Sequence, residues 1–563
     1  MQLFLNPAKT ATINDLLLVK FLSLTLLSLG YLFGAFVPLF ENDPAHHANI
    51  ALHMLVTGDY LSLVDKGLPY MDKPHLLFWT AALSFKTFGV NTFAYKLPTL
   101  LASILGLYAT YKVGSLLYNK KVGGEATLLL SVAFAFSLAH SDVRMDGMLT
   151  SFMIFSFWQL IRFHQQRTWE TFFLAVLGLS LGFMTKGMIG PAVPVIGFLF
   201  YLLEERDWRV FLDQKLWLMV PGFLVFSFPV LYAYYVQFDL HPELEIRGTD
   251  GNSGVYFILL GQNFERFGGE MCGSAGGKDP YFFLHTILWS VLPWSVLLYL
   301  GLGNAVKCMW NRERSFRWSI WAMLIFLVSI YSMSNFKLPH YVVTLIPFMG
   351  LVTADYLNRI SLHKVWRKVN LGLLSLVLLL VLGINVVFFP ASLPLLVFIL
   401  LALLVGMYLA FKIPDEGNSF FYKMILLGAS VNFLMQGNFY PKILQYQAGD
   451  NLAHKARTAA FPHEEVLFYG VHSFAFDFYT SYLHRSIEEE ELQAKRLRGE
   501  QLYLYTNSVG RAQLENSGQW DLEILEESPN FHVSRLKGKF INPKTRHEVT
   551  DVSMIIKISP LSD

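Results

Sequence analysis

The residues with chemistry to offer in this chain of 563 residues are ionisable groups of both signs at the ends of long apolar segments. Asp43, Asp59, Asp72, Lys73, Asp142, Arg144, Asp146, Lys186, Glu265, Arg266 and Lys337 all fall there. Such a set suits one kind of chemistry. Cations there can hold an anion such as a phosphate, and both signs together beside lipid suit the handling of a charged, lipid-linked substrate. Ionisable groups next to lipid are costly, so they are functional candidates by default.

The first group runs Glu41-Asn-Asp-Pro-Ala-His-His-Ala, passes Met54 and Gly58-Asp-Tyr60, and closes with Pro69-Tyr-Met-Asp-Lys-Pro-His-Leu-Leu-Phe-Trp79. The stretch after Asp43 is semi-apolar and rich in His, Met and Tyr, as expected of a loop packed on a membrane. Asp43 is therefore the first catalytic candidate. Lys73 precedes Pro74, a residue suited to a first helical turn. Its ammonium can meet a phosphate, and headgroup snorkelling is the competing role. In Asp142-Val-Arg-Met-Asp146, Asp146 opens a helix, where a carboxylate also satisfies the dipole; Asp142 alone reads as structural. Thr185-Lys186-Gly187 places a lysine where the topology disfavours one, and anion binding is the simplest reason. Gln262-Asn-Phe-Glu-Arg-Phe267 precedes a glycine-rich stretch expected to be a mobile loop over a site. Asn335-Phe-Lys-Leu-Pro-His-Tyr341 supplies another lysine, a histidine and a tyrosine.

Metal binding is the less favoured reading. His46, His47, His53 and His75 share one loop with Asp43, Asp59 and Asp72, but no spacing matches a compact zinc motif. A divalent ion remains open as a cofactor, and no other cofactor is indicated. No P-loop, GxSxG or GxGxxG fingerprint is credible.

The elements that must position these groups are membrane spans. The chain is 54% hydrophobic and only 15% charged, where soluble domains carry about a quarter charged residues. Hydropathy gives about thirteen spans, at 15–39, 94–117, 124–140, 146–163, 169–185, 188–203, 216–238, 281–305, 317–334, 338–357, 370–389, 392–411 and 421–439. Leu76–Phe88 is apolar but short, and reads as a helix lying at the interface. With the N-terminus in the cytoplasm, the cytoplasmic loops collect Lys112, Lys120, Lys121, Arg162, Arg206, Arg209, Arg312, Arg314, Arg359 and Lys364 among others. That is the expected bias, and counting Leu76–Phe88 as a span would invert it. All the candidate residues then share the outer face. The first apolar run lacks a cleavage pattern and reads as a retained, targeting span.

The resulting expectation is a mainly α-helical polytopic membrane protein, with residues 1–440 as the catalytic transmembrane domain and loops at about 40–93 and 239–280. Residues 441–563 read as a small soluble α/β domain outside the membrane, with strands near Val466–Tyr469, Leu502–Tyr505 and Ser553–Ile558 and a helix in Ile487–Arg498. Cys272 and Cys308 fall on opposite sides and should not pair. A net charge of +2 implies no nucleic-acid partner.

The ordered motifs resemble the GT-C membrane glycosyltransferases, in the branch that holds the lipid A aminoarabinose transferase and the protein O-mannosyltransferases (the GT39 and GT83 types). The resemblance rests on Asp43 eleven residues before Met54, Gly58-Asp59-Tyr60, Tyr70–Pro74 leading to Trp79, Arg144–Asp146, Thr185-Lys186-Gly187, Asn263–Phe267, Leu292-Pro-Trp-Ser295 and Lys337–Tyr341. It implies a GT-C fold, and transfer of a sugar from a polyprenyl-phosphate carrier at the outer face of a bacterial inner membrane. It assigns catalysis to Asp43 and Asp146. It places Lys73, Tyr70, Arg144, Lys186 and Arg266 near the carrier phosphate, and Lys337 and Tyr341 in the closing wall. The implied partners are the lipid-linked donor, membrane lipids, and a lipid A-like glycolipid, glycan or protein hydroxyl as acceptor.

Two departures stand out. Pro44 occupies the position that is usually Glu, and His46 and His47 replace the usual Arg and Tyr. After the Glu-Arg-Phe run, Gly, Glu270 and Cys272 replace frequent histidines, so a metal site built on those histidines should be absent. A lipid-linked sugar transporter is the rival class, but transporters place ionisable groups near the bilayer midplane and show repeats. A non-catalytic scaffold leaves the shared placement of Asp43, Lys73, Asp146 and Lys186 unexplained.

Overall fold

A computed structural model describes residues 7–246, 249–262, 265, 279–313, 316–388, 401, 417–459 and 461–561. The chain begins with α1 (Pro7–Gly34) and α2 (Asp43–Thr57). α2 stops at Gly58, whose φ of 75° lets its N–H return to the Met54 carbonyl at 3.0 Å. That left-handed cap favours glycine, which explains the glycine ahead of Asp59. A short antiparallel hairpin, β1 (Val64–Asp65) and β2 (Leu68–Pro69), follows. Next comes α3 (Leu76–Phe88), with 13 residues. At 1.5 Å per residue it is roughly 20 Å long, short of a ~30 Å hydrocarbon core.

The bundle is built from α4 (Thr92–Leu117), α5 (Lys120–Val132), α6 (Phe134–Ser141), α7 (Met145–Gln166), α8 (Trp169–Lys186), α9 (Ile189–Glu205) and α10 (Gln214–Tyr234). Further helices cover Phe282–Ser290, Ser295–Trp310, Trp318–Met333, Ile346–Arg359, Lys364–Phe388 and Gly417–Leu434. α7 is central and packs on α4, α8 and α9. Small residues set these approaches: a Cβ on Gly106 of α4 would stand 2.5 Å from Ser151 Oγ of α7, and one on Gly190 would collide with the Gly182 backbone. The second contact holds the end of α8, which carries Lys186, against the start of α9.

Five helices among the described residues are long and apolar enough to cross a membrane: Asp15–Gly34, Thr92–Leu117, Gln214–Asp239, Pro339–Arg359 and Lys364–Val386. α5 and α6, expected as one span, meet at 58° and add a sixth if they cross together. The expected span 281–305 is likewise two helices, interrupted before Ser295 where Pro293 removes a backbone donor. Most of 392–411 lies outside the described residues.

Residues 441–561 carry a four-stranded sheet, β3 (Val466–Phe468), β4 (Leu502–Asn507), β5 (Trp520–Asn530) and β6 (Asp551–Pro560), in the order β3-β4-β6-β5. β3 and β4 are parallel and the other pairs antiparallel. β5 escaped the sequence reading. Asp521, Glu523, Glu526 and Glu527 interrupt its apolar pattern, and an edge strand tolerates such charges. Helix Glu489–Leu497 lies within the stretch expected to be helical.

This unit docks on the segment after α1. The Gln447 side chain accepts from the Glu41 N–H at 2.7 Å and donates to the Leu39 carbonyl at 2.8 Å. Tyr479 Oη accepts from the Leu39 N–H at 2.9 Å. Lys96 of α4, fully buried, donates to the Gly34 and Val37 carbonyls at 2.9 and 2.5 Å, closing the end of α1. Glu41 accepts from Ser473 Oγ at 3.1 Å and from the Ala475 N–H at 3.3 Å. Burial outweighs these donors and raises its carboxyl to about 7 from 4.5.

A raised pKa favours the protonated folded state, so this contribution is fully present below pH 4.5 and is lost as pH rises through about 7. We expect Glu41→Gln to remove about 3 kcal/mol of alkaline destabilisation. Thermal unfolding in detergent should show the variant matching wild type at pH 5 and exceeding it at pH 8.5. Parallel pH curves for the two proteins would exclude Glu41 as the source.

Candidate active site

α2 starts at Asp43, so that carboxylate stands in the first turn with Asn42 before it and Pro44 after it. α7 starts at Met145, which puts Asp146 in its first turn. α8 ends at Lys186, and Pro339–Leu345 forms a 3-10 turn ahead of helix Ile346–Arg359. These ends meet around a cavity of about 230 Å³. Of the residues expected from sequence, Asp43, Tyr70, Lys73, Arg144, Asp146, Lys186 and Tyr341 line it. His46, His47, Asp72, Met145, Phe336, Leu338 and His340 complete the wall. This volume is below the ~300–1,000 Å³ of pockets for drug-sized ligands, so it suits a small polar headgroup.

Two charge systems run through the wall. In the first, Arg144 bridges two carboxylates: Nη1 donates to Asp43 Oδ2, and Nε donates to Asp142 Oδ2 at 2.5 Å. Asp142, read as structural from sequence, thus orients the guanidinium that faces Asp43. In the second, Lys186 Nζ donates to Asp146 Oδ1 at 2.7 Å, and His340 Nε2 is 3.7 Å from the other oxygen. Lys186 also lies 4.6 Å over the Tyr341 ring. The hairpin side is fixed from α10 and beyond: Gln237 binds both the N–H and the carbonyl of Leu63, Tyr234 Oη donates to the Met71 carbonyl, and Gln262 donates to that of Asp72.

One expected residue stands elsewhere. Lys337 is outside this wall: its ammonium donates to the Asp279 carbonyl at 3.1 Å, while Phe336 and Leu338 on either side face the cavity. A one-residue step in an extended corner separates those directions. Arg266, Cys272 and the glycine-rich stretch lie outside the described residues. No group of three or more His, Cys, Asp or Glu among the described residues is placed to share a metal ion. Asp72, His46, His47 and His340 line the cavity beyond the residues that the sequence assigned to the site. Each was visible within a motif, but only the fold turns those side chains inward.

Burial opposes ionisation of Asp43, but the Arg144 guanidinium, with His47, His340 and Lys73, outweighs it and holds the carboxyl below its ordinary 3.8. Burial pushes Asp142 upward, and it holds His47 well below 6.5 with His46 adding to the effect. An ionised Asp43 is therefore present from its ordinary value upward and is lost only as pH falls below it. His47 stays neutral at pH 7. If Asp43 is the base, kcat/KM should be flat from about pH 5 to 8 and fall only in stronger acid. An inflection near 6.5 that disappears in His47→Gln would contradict this assignment.

Carboxylates facing cations in a small recess at helix ends can bind an anionic headgroup and act on a nucleophile beside it. A family model described as dolichyl-phosphate-mannose-protein mannosyltransferase matches residues 72–232. An uncharacterized protein of Aquifex aeolicus is 30% identical over 404 residues, covering 70% of this chain and 74% of that one. An undecaprenyl phosphate-alpha-4-amino-4-deoxy-L-arabinose arabinosyl transferase of Pseudomonas aeruginosa is 26% identical over 351 residues, 61% of this chain and 59% of that protein. The match thus spans about three fifths of that relative's length. The crystal structure of ArnT from Cupriavidus metallidurans bound to undecaprenyl phosphate superposes with a TM-score of 0.71 at 16% identity, covering 95% of this chain and 97% of that one. The chain belongs to the GT-C membrane glycosyltransferases, in the branch resembling ArnT and the protein mannosyltransferases.

Proposed function

We propose that the protein moves a sugar from a polyprenyl-phosphate carrier to an envelope acceptor, a lipid A-like glycolipid or glycan, with inversion at the anomeric carbon. The reaction would take place at the extracytoplasmic face of a bacterial inner membrane, in a fold of about thirteen spans with the C-terminal unit on the same side. The observation that carries this reading is the cavity itself. It joins the Asp43 carboxylate to Arg144, Lys73 and Lys186 within one small recess.

Lys73 and Lys186 receive the carrier phosphate, and Arg144 is placed between it and Asp43. The acceptor oxygen attacks the anomeric carbon as the bond to the phosphate oxygen breaks, through an oxocarbenium-like state. The electron pair leaves with the carrier phosphate, whose added charge the cations stabilise. The acceptor proton passes to Asp43 when the acceptor is a hydroxyl. When the acceptor is a phosphate, Asp43 orients it. Asp146 holds Lys186 in place. No step calls for a nucleotide.

Transfer to a protein Ser or Thr is the second reading, favoured by the description of the matching family model. The test is transfer from a radiolabelled undecaprenyl-phosphate-sugar pool in membranes that carry the protein, with products separated into lipid and protein fractions. Label in the glycolipid fraction is the expected result. Label in protein selects the second reading, and no transfer to either fraction overturns both.

A further inference from the structure

The C-terminal unit meets the catalytic wall from behind. Its helix Phe474–Thr480, capped by Ser473, lies against α2. Ser473 Oγ accepts from the Phe476 N–H and donates to Glu41 Oε2, both at 3.1 Å. Farther along α2, Asn49 Nδ2 donates to Asp477 Oδ2 at 3.4 Å. These two ties bracket Asp43, His46 and His47, the part of α2 that faces the cavity.

One side chain of that helix reaches both limbs of the first loop. The Phe474 ring lies 4.7 Å from the His46 ring, centroid to centroid, with 32° between their planes. Lys66 Nζ stands 4.6 Å over the same Phe474 ring. His46 is one turn of α2 beyond Asp43 and lines the cavity with it. Lys66 sits in the turn of the β1–β2 hairpin, whose exit delivers Tyr70, Asp72 and Lys73 to that cavity. Phe474 stands behind the wall, in a neighbouring recess.

The hairpin limb is shaped for this contact. Lys66 has a φ of 50° and Gly67 one of 80°. A two-residue hairpin turn takes such a left-handed pair, and asparagine then glycine is the usual choice. Lysine is disfavoured in the left-handed region, so its place there calls for a gain elsewhere. The cation over the Phe474 ring supplies one. Asp65 Oδ2, beside the turn, is 3.0 Å from His46 Nε2, and the Tyr70 ring meets the His46 ring edge-on at 5.4 Å. The two limbs and the C-terminal helix therefore meet in one cluster built around His46 and Phe474.

The spacing of those limbs decides where the reacting groups stand, because Asp43 rides on one and Lys73 follows the other. The acceptor proton goes to the first and the carrier phosphate to the second. A misplacement of ~1 Å in such an arrangement can cost ~10²-fold in rate. We propose that Phe474 is a positioning residue for sugar transfer: from the C-terminal unit it fixes the spacing between Asp43 and Lys73 through His46 and Lys66. The role rests on the glycosyltransferase reading above and makes the C-terminal unit part of the catalytic apparatus.

The test uses the full chain in proteoliposomes, with transfer from the labelled undecaprenyl-phosphate-sugar pool and thermal unfolding measured side by side. Phe474→Leu keeps apolar bulk and removes the ring face. It should lower kcat about 10–10²-fold without a matching rise in donor KM, and Phe474→Tyr should restore kcat to within about twofold. Lys66→Asn suits the left-handed turn and removes the ammonium at an exposed position. It should keep the unfolding temperature and still lower kcat roughly threefold. Leu514→Val, in the separate core of the C-terminal unit, should lower the unfolding temperature and leave kcat unchanged. If Phe474→Leu does not fold, Lys66→Asn decides. Unchanged kcat in either folded variant overturns the proposal. So does a kcat that merely follows the unfolding temperature across all four. A wild type that transfers no sugar would overturn the proposed function itself, and this role with it, an outcome told apart by the wild-type rate alone.

Discussion

Asp43→Asn should lower sugar transfer by about 10²–10⁴-fold, the usual contribution of a positioned general base. Asparagine keeps the size of the side chain and can still accept from Arg144, which also retains Asp142 at 2.5 Å. Folding should therefore survive. Removing one negative charge from a recess that binds an anionic donor should leave donor affinity equal or tighter. The expected signature is a fall in kcat without a rise in donor KM. Initial rates in proteoliposomes with a labelled undecaprenyl-phosphate-sugar would measure both. A loss below tenfold in folded protein would remove Asp43 from proton transfer and leave it an orienting role at most.

The second large effect is expected at the buried pair. Lys186 and Asp146 side chains are 5% and 4% exposed, with nitrogen and oxygen 2.7 Å apart. Lys186→Met leaves a carboxylate buried without its main cation, which should cost about 3–5 kcal/mol of stability. It also removes a cation from the proposed phosphate site, at about 10²–10³-fold in kcat. Asp146→Asn combined with Lys186→Met separates the two effects. The double variant should recover most of the lost stability, because no unpaired charge remains, yet transfer should stay low. Thermal unfolding and transfer rates on the single and double variants make the comparison. Recovery of both properties together would make Lys186 a purely structural partner.

Much of the candidate site was legible as sequence because membranes penalise charge. A lysine or aspartate at an apolar end is conspicuous, and Asp43, Lys73, Arg144, Asp146 and Lys186 announced themselves that way. Tyr70 and Tyr341 came with the motifs around them. The helix Leu76–Phe88 was legible as an apolar run below spanning length. Strands β3, β4 and β6 showed through their apolar runs. β5 did not, because its acidic residues break the apolar pattern on an edge strand that pairs with β6 alone.

Composition, hydropathy and motif order thus determined the class of protein and the set of ionisable groups available to it. Local signals go no further than that, since side-chain direction depends on packing between distant segments. Only the tertiary structure decided that Asp142 serves Arg144, that Asp146 belongs to Lys186, and that Lys337 turns away toward Asp279. It also decided that Asn49 meets Asp477, a residue 428 positions away. These are pairings across helix ends and between the first loop and the C-terminal sheet. Close helix contacts at Gly106 and Gly190 fix where those ends stand, and no periodicity along the chain encodes that.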